Sequence, residues 1–344
     1  MDKNPKKENE LIKNPKDIKL LYDLTEDSYS NYILDGSFII FNSIDNVLYL
    51  IYLTNHNQII IFNFNDKQKI SELKHYHKHY ITGFKHFFDN KNKRDLIMSI
   101  SSEDNNIIIW DIKNLNCILN IVNINKGGVL HSACFLSDKD NYYIVTSNCS
   151  QSPFYINFDP IKIFESNGKL FKEINESNEK TYYIDTYYDN TLSKKYIVTC
   201  NFNYVKSYDY EKNELYHKYY DKDEGAHFTF NIYNDENNIK LIESSNIGAI
   251  RIWNFHSAEL LNKIIVNNKR LFSICLWNND YLFVGCDDGT IKLIEIKNRN
   301  IITSLEGHKN IVLTIKKINH SNYGECLVSK GFKEDQIKIW SFKN

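Results

Sequence analysis

Proline is nearly absent from this chain. Its four prolines, Pro5, Pro15, Pro153 and Pro160, leave every apolar run untouched. A strand bonded on both edges cannot hold proline, which has no N–H for the ladder, so this scarcity fits a sheet-rich fold. Glycine is also sparse, at 12 residues, so the turns must use other side chains. Asparagine tolerates positive φ and is expected to do much of that work. No stretch approaches 18 apolar residues, so no transmembrane helix is expected. The N-terminal segment MDKNPKKENELIKNPK has no apolar centre and does not read as a secretory signal. Charge of one sign is missing too: 42 basic against 43 acidic residues give a net charge of −1. That balance argues against a bulk nucleic-acid or anionic-membrane binder. The seven cysteines, at 117, 134, 149, 200, 275, 286 and 326, form no C-x-x-C pair. Several sit inside apolar runs, and they read as free, mostly buried thiols in a reducing compartment.

What is abundant is aromatic and β-branched. There are 24 tyrosines and 20 phenylalanines, both at home in strands. The key stretch is Ile107-Ile108-Ile109-Trp110-Asp111. It is short and β-branched, and polar turns flank it, as suits a fully buried strand. The stretch recurs at Ile250-Arg251-Ile252-Trp253-Asn254 and Ile337-Lys338-Ile339-Trp340-Ser341. Weaker copies end on Phe62, Phe164, Tyr208 and Ile294. The seven large residues are spaced by 48, 54, 44, 45, 41 and 46 positions. A period in that range indicates a four-stranded unit repeated around a ring.

In chain order, residues 1–17 carry five lysines, four acids and almost no apolar side chains. They are expected to form a disordered arm rich in Lys and Asn. The next units begin near Ser37, His77, Val129, Tyr182, His227, Leu271 and Ile311. The last stops at its third strand, Gln336–Trp340, and lacks a fourth. Ile18–Leu24, otherwise unassigned, can supply it. Pairing the two closes the ring and removes an exposed edge. The expected fold is therefore all-β: a seven-bladed propeller of four-stranded antiparallel blades over 18–344, its N-terminal strand completing the C-terminal blade.

These units resemble the WD40-repeat β-propellers, in degenerate form. Trp110-Asp111 is the intact Trp-Asp pair, Gly307-His308 the intact Gly-His pair, and Asp287-Asp288-Gly289 looks like the family's second-to-third strand turn. The resemblance implies a structural hydrogen-bond set of His77, Ser102, Asp104 and Trp110 in the second unit. Asp288, Trp253 and Trp340 would hold equivalent positions. Phe202, Ile247 and Glu334 stand where other units would have the acid. Apolar packing is expected to outweigh polar networks in those blades.

Sites for chemistry are harder to find. His75, His77 and His79 alternate and could face one side of a strand as metal ligands. His77 aligns with the family's structural His, and no further ligand lies nearby in sequence. No metal or cofactor is expected. G-x-S-x-G and G-x-x-x-x-G-K-[ST] are both missing. Asp287-Asp288-Gly289 reads as a tight turn, and the tryptophans read as core.

The function expected is a non-catalytic scaffold or adaptor, a monomeric propeller within a larger complex, such as a substrate-recognition subunit. It would be cytoplasmic, with the nucleus also open, and would bind proteins or peptides but neither nucleic acid nor membrane. The resemblance places binding where each blade's first strand begins, at Tyr80, Val129, Tyr182, His227, Arg270 and Ile311. Tyrosine and arginine are enriched at such hot spots. The alternative is an enzyme or small-ligand sensor in the central channel, with His131 and Asp185 as its candidates.

Overall fold

The computed structural model describes residues 18–342, apart from 26–37, 55, 75–76, 123, 125–127, 140, 148, 151–159, 176–179, 223–224, 236–237 and 268. The arm at 1–17, His75 and Pro153 lie outside the described residues. Among the described residues, seven antiparallel sheets of four strands form a ring, with no helix. Blade 1 contains Phe38–Asn42, Leu48–Leu53, Ile59–Asn63 and Gln68–Leu73, and blades 2 to 6 repeat this order. The first strands of successive blades neighbour one another around the axis, and that of blade 7 meets that of blade 1.

Blade 7 is closed as expected. Lys19–Thr25 pairs antiparallel with Gln336–Ser341, with Leu20 opposite Trp340 and Leu24 opposite Ile337. Leu21, Tyr22 and Leu24 then pack on the apolar cluster between blades 7 and 1. Lys338 Nζ donates to Asp23 Oδ1 at 3.0 Å, adding a polar tie to the same strand.

The core is divided into seven clusters, one between each pair of adjacent blades. This explains the continuous apolar runs. Ile107 and Ile109 face blade 3, whereas Ile108 and Trp110 face blade 1. A strand sandwiched between two sheets is apolar at every position, not at alternate ones. Among the described residues six cysteines lie outside any disulfide, five of them buried and Cys117 half-buried.

One turn geometry recurs in blades 1 to 6. The ladder between third and fourth strands slips by one residue beside the Trp-equivalent position. Positive φ then falls on Lys67, Leu115, Gly168, Asn213, Ala258 and Arg299. Only one of these is asparagine. Across the described residues, lysine takes positive φ as often as asparagine does, at Lys67, Lys93, Lys139 and Lys333 against Asn46, Asn57, Asn105 and Asn213. The bulge imposes the conformation whatever the side chain, at roughly 1 kcal/mol for a non-glycine residue. The residue after the Trp-equivalent position holds the turn. Asp111 Oδ1 accepts from Asn114 N at 3.1 Å, Asp209 Oδ1 from Lys212 N at 3.0 Å, and Asn254 Oδ1 from His256 N at 3.0 Å. The aspartate of the Trp-Asp pair is thus a turn cap.

Candidate partner-binding face and channel

The face on which the first strands begin, the upper face, is shaped by polar ties beneath its loops. In blade 2 the Trp110 indole N–H donates to Ser99 Oγ at 2.9 Å, and Ser99 Oγ lies 2.9 Å from His77 Nε2. His77 Nδ1 is 3.6 Å from Asp104 Oδ2, which accepts from Lys78 N at 2.7 Å and His79 N at 3.2 Å. The serine at the hub is therefore Ser99, not Ser102. Ser102 sits beyond the strand Arg94–Ser101, in the turn, and donates to Thr82 Oγ1 at 3.0 Å. Ser99 lies opposite Ile108, two residues before Trp110, which places its hydroxyl within reach of the indole.

Blade 7 carries the same set with glutamate for aspartate. Trp340 Nε1 donates to Ser329 Oγ at 2.8 Å, and His308 Nε2 lies 2.8 Å from that hydroxyl. His308 Nδ1 is 2.6 Å from Glu334 Oε2, while Glu334 Oε1 accepts from the amides of Lys309 and Asn310. Burial pushes the Glu334 carboxyl up, but the His308 bond and charge and the two amides outweigh it and hold it below its ordinary value. Blade 7 thus does not lack the acid. Gly307 packs against this set: a Cβ there would sit 3.2 Å from the Trp340 ring, at φ +152°. Asp288, by contrast, closes its own turn, accepting from Thr290 N at 3.1 Å and Thr290 Oγ1 at 2.6 Å.

Blade 5 uses charge. Glu243 holds the place of Ser99, opposite Arg251. Glu243 Oε2 lies 2.8 Å from His227 Nδ1, and Arg251 Nη1 donates to Glu243 Oε1 at 3.2 Å. Arg251 Nε donates to Asp221 Oδ2 at 2.9 Å, as does Lys263 Nζ at 2.6 Å. Burial pushes the Asp221 carboxyl up, but these two cations and the Lys222 amide outweigh it and bring it down to about 2. Trp253 Nε1 has no hydrogen-bond partner among the described residues. Basic side chains two residues before the Trp-equivalent position also pin interblade loops elsewhere. Lys162 Nζ donates to Ile124 O at 2.7 Å, and Lys292 Nζ to Val266 O at 3.4 Å.

The six positions expected to bind a partner divide by burial. Tyr80 is 37% exposed, Arg270 is exposed, and Tyr182 and Ile311 are half-buried. Val129 and His227 are buried, at 7% and 2% exposure. They offer no surface: Val129 is held in a two-residue ribbon opposite Cys149, and His227 is committed to Glu243. The residues near them in sequence instead form a row of rings. His131 lies 6.4 Å from Tyr182, Tyr182 lies 5.7 Å from Phe228, and Phe228 stacks on Phe272 at 4.8 Å. Phe228 and Phe272 line the channel. Phe228 and Phe272 were not legible as site residues, because a phenylalanine beginning a strand reads as core.

The channel itself is a cavity of about 290 Å³ walled by first-strand residues of all seven blades. Most of its lining residues are apolar in type, but polar atoms supply the larger share of its exposed wall. Lys85 Nζ donates to Tyr183 OH at 3.1 Å and to Asp185 Oδ2 at 3.2 Å, and Tyr183 OH donates to the same carboxylate at 3.0 Å. Asp185 is thus in the channel and engaged. His131 is not on its wall, and burial, with Lys180 nearby, pushes its imidazole down to about 4. The two do not meet as an acid–base pair. Lys85 and Tyr183 went unread. The only sequence signal was their placement in first strands, with Tyr183 and Asp185 two apart on one face. His86 also lines the wall, but it stacks on Phe41 at 3.9 Å and lies 2.7 Å from Asp95. Among the described residues no group of three His, Cys, Asp or Glu side chains could hold a metal ion. No described helix is long and apolar enough to cross a membrane.

No family model matches the chain. Two curated proteins match short parts of it. The U3 small nucleolar RNA-associated protein 21 homolog of Schizosaccharomyces pombe is 26% identical over 106 residues, covering 31% of this chain and 11% of that protein. Myosin heavy chain kinase D of Dictyostelium discoideum is 34% identical over 82 residues, covering 23% of this chain and 8% of that protein. The matched segments thus span about a tenth of each relative, 11% and 8%. Seven four-stranded blades and a closing N-terminal strand make the chain a seven-bladed β-propeller, and the His–Ser–Trp–carboxylate networks of blades 2 and 7 resemble those of degenerate WD40 repeats.

Proposed function

We propose that this propeller is a non-catalytic scaffold that presents its upper face to protein or peptide partners as one subunit of a larger complex. The observation that carries this reading is the pair of half-buried rings, Tyr182 and Phe228, that leads to the channel wall over the buried Phe272, with exposed Tyr80 and Arg270 on the same face. Rigid aromatic anchors ringed by polar loops are what a binding hot spot needs. Tyr80, Tyr182, Arg270 and Ile311 are the contacts proposed. The near-zero net charge favours a protein partner over bulk nucleic acid. A scaffold within an assembly also accords with the name of the Schizosaccharomyces pombe relative, which describes an RNA-associated protein. The cytoplasm is the compartment proposed, and a fluorescent fusion concentrated in nucleoli would move the protein to the nucleus. The direct test is a pull-down with the Tyr80, Tyr182 and Arg270 side chains replaced together by alanine. Partner recovery should vanish while the melting temperature stays within a few degrees. Undiminished recovery would show that another face binds.

A further inference from the structure

We infer that the outer edge of blade 7 is a strand-exchange site, at which Lys19–Thr25 of a second copy of this chain replaces the chain's own strand and joins two rings into a reciprocal dimer. The edge needs a strand, yet the strand that fills it is lightly held. Lys338 Nζ donates to Asp23 Oδ1 at 3.0 Å and to Gln336 Oε1 at 3.1 Å. Departure of the strand would leave the buried ammonium without its anion and Gln336–Ser341 without one of its two ladders. On the other side of the ladder, none of the side chains from Lys19 to Leu24 is buried. In blades 1 to 6 the outer strand has a buried anchor, respectively Leu73, Ile121, Ile174, Tyr219, Ile264 and Leu305. The closing strand has none over Lys19 to Leu24, and its Leu20 is 41% exposed. The ion pair has the same asymmetry: the side chain of Lys338 is 5% exposed and that of Asp23 is 26% exposed.

Three features of the edge select its occupant. Lys338 requires a carboxylate, which Asp23 supplies. Lys67 of blade 1 holds its ammonium 3.7 Å from the centre of the Tyr22 ring, a cation–π contact that requires an aromatic one residue earlier. The cluster between blades 7 and 1 takes the apolar side chains of Leu21 and Leu24. The closing strand meets all three conditions in a fixed register, and a second copy carries the identical strand. In a reciprocal exchange every contact of the closed ring is remade between copies, so the added cost is that of association alone. With residues 26–37 as tether, the chain's own strand competes at an effective concentration on the order of 1 mM, so dimers should form as the chain itself approaches about 1 mM.

The test uses the full chain, incubated over a concentration series up to about 1 mM, then diluted and sized by light scattering. A species of twice the chain mass should appear and grow with the incubation concentration. Lys19 and Ser341 lie opposite each other in the ladder. In Lys19→Cys/Ser341→Cys, a short bismaleimide should link these positions between copies in the dimer and within one copy in the monomer, so only the dimer fraction yields a covalent dimer on a denaturing gel. The unaltered chain, treated alongside, sets the background from its own cysteines. Asp23→Asn weakens the same tie in the closed ring and in the exchanged dimer. It should leave the equilibrium dimer fraction nearly unchanged but speed exchange between differently tagged chains by about tenfold or more, as loss of a charge-assisted hydrogen bond does. Monomer alone at every concentration, a dimer whose links stay within single copies, or unchanged exchange in Asp23→Asn would each overturn the inference. If the double-cysteine variant fails to fold, mass and tag exchange in the unaltered chain and Asp23→Asn still decide it. The Tyr80, Tyr182 and Arg270 triple variant should exchange strands as the unaltered chain does, which keeps this result separate from that of the upper face.

Discussion

In blade 2 a neutral serine, Ser99, joins the Trp110 indole to the His77 ring; in blade 5 its equivalent is Glu243, facing Arg251 and His227. Both arrangements fill the same space between second and third strands. The serine hub joins tryptophan and histidine through a neutral hydroxyl and satisfies its tryptophan. The ionic hub takes Glu243 and Arg251 out of water entirely and leaves Trp253 Nε1 without a partner among the described residues. What blade 5 gains is a tie to the preceding interblade loop through Asp221, which blade 2 makes instead through Asp104 and two loop amides. A loop on the upper face can therefore be fixed by hydrogen bonds or by charge, and the two should respond differently to mutation.

The largest effect is expected at Glu243. Alanine there takes the fully buried carboxylate from the Arg251 guanidinium, which keeps its bond to Asp221, and denaturant unfolding should show a loss of about 3 kcal/mol. Glu243→Ser combined with Arg251→Ile copies the blade 2 arrangement and should lose about 1 kcal/mol or less, because no charge is left buried alone. Equal losses in the two variants would dissolve the distinction between the hubs.

Next comes the serine hub itself. Ser99→Ala removes the bonds that the Trp110 N–H and His77 Nε2 make to its hydroxyl, for about 1–3 kcal/mol. Ser102→Ala removes a single hydroxyl bond and should lose about 1 kcal/mol or less. The reverse order would return the hub to Ser102.

Acid should separate the blades by pH. Asp221 is depressed from 3.8 to about 2, so its contribution is complete above the unfolded value and disappears as pH falls through the folded one. Glu334 in blade 7 is depressed from 4.5 and follows the same sign, starting higher. Stability should therefore fall between about pH 4.5 and pH 2. Asp221→Asn should flatten the lower part of that limb and Glu334→Gln the upper part, as read from thermal midpoints at each pH. A limb unchanged in both variants would mean that other carboxylates produce it.

The smallest effect concerns the shared turn. Leu115 is exposed and sits at φ 54°. Leu115→Gly relieves roughly 1 kcal/mol of left-handed strain but restores chain freedom, for a net gain of a few tenths of a kcal/mol. Gly289→Ala should lose more, since a Cβ there would lie 2.5 Å from the His308 carbonyl oxygen. A loss at Leu115 as large as the one at Gly289 would remove the claim that the bulge, rather than residue type, sets the turn.

Much of the architecture was written in local pattern. Runs such as Ile107–Asp111 are apolar at every position because blades cover both faces, and their spacing counted the blades. The missing fourth strand and the surplus Ile18–Leu24 specified the closure. These features depend on period and burial, which a sequence displays directly. Partners across the fold were not displayed. Ser99 and Ser102 are both strand-end serines in sequence, and only the register opposite Ile108 chose between them. Glu334 looked like the loss of an acid until its longer side chain was seen to reach His308. His227 and Val129 were placed on the surface by alignment and sent inward by contacts. Lys85 and Asp185 meet across 100 residues, on strands from different blades, and nothing in either stretch names the other. Which residues form blades is a one-dimensional property of this chain. Which polar side chains pair, and which rings face a partner, followed only from the tertiary structure, because hydrogen bonds and ion pairs depend on distances that the ring alone establishes.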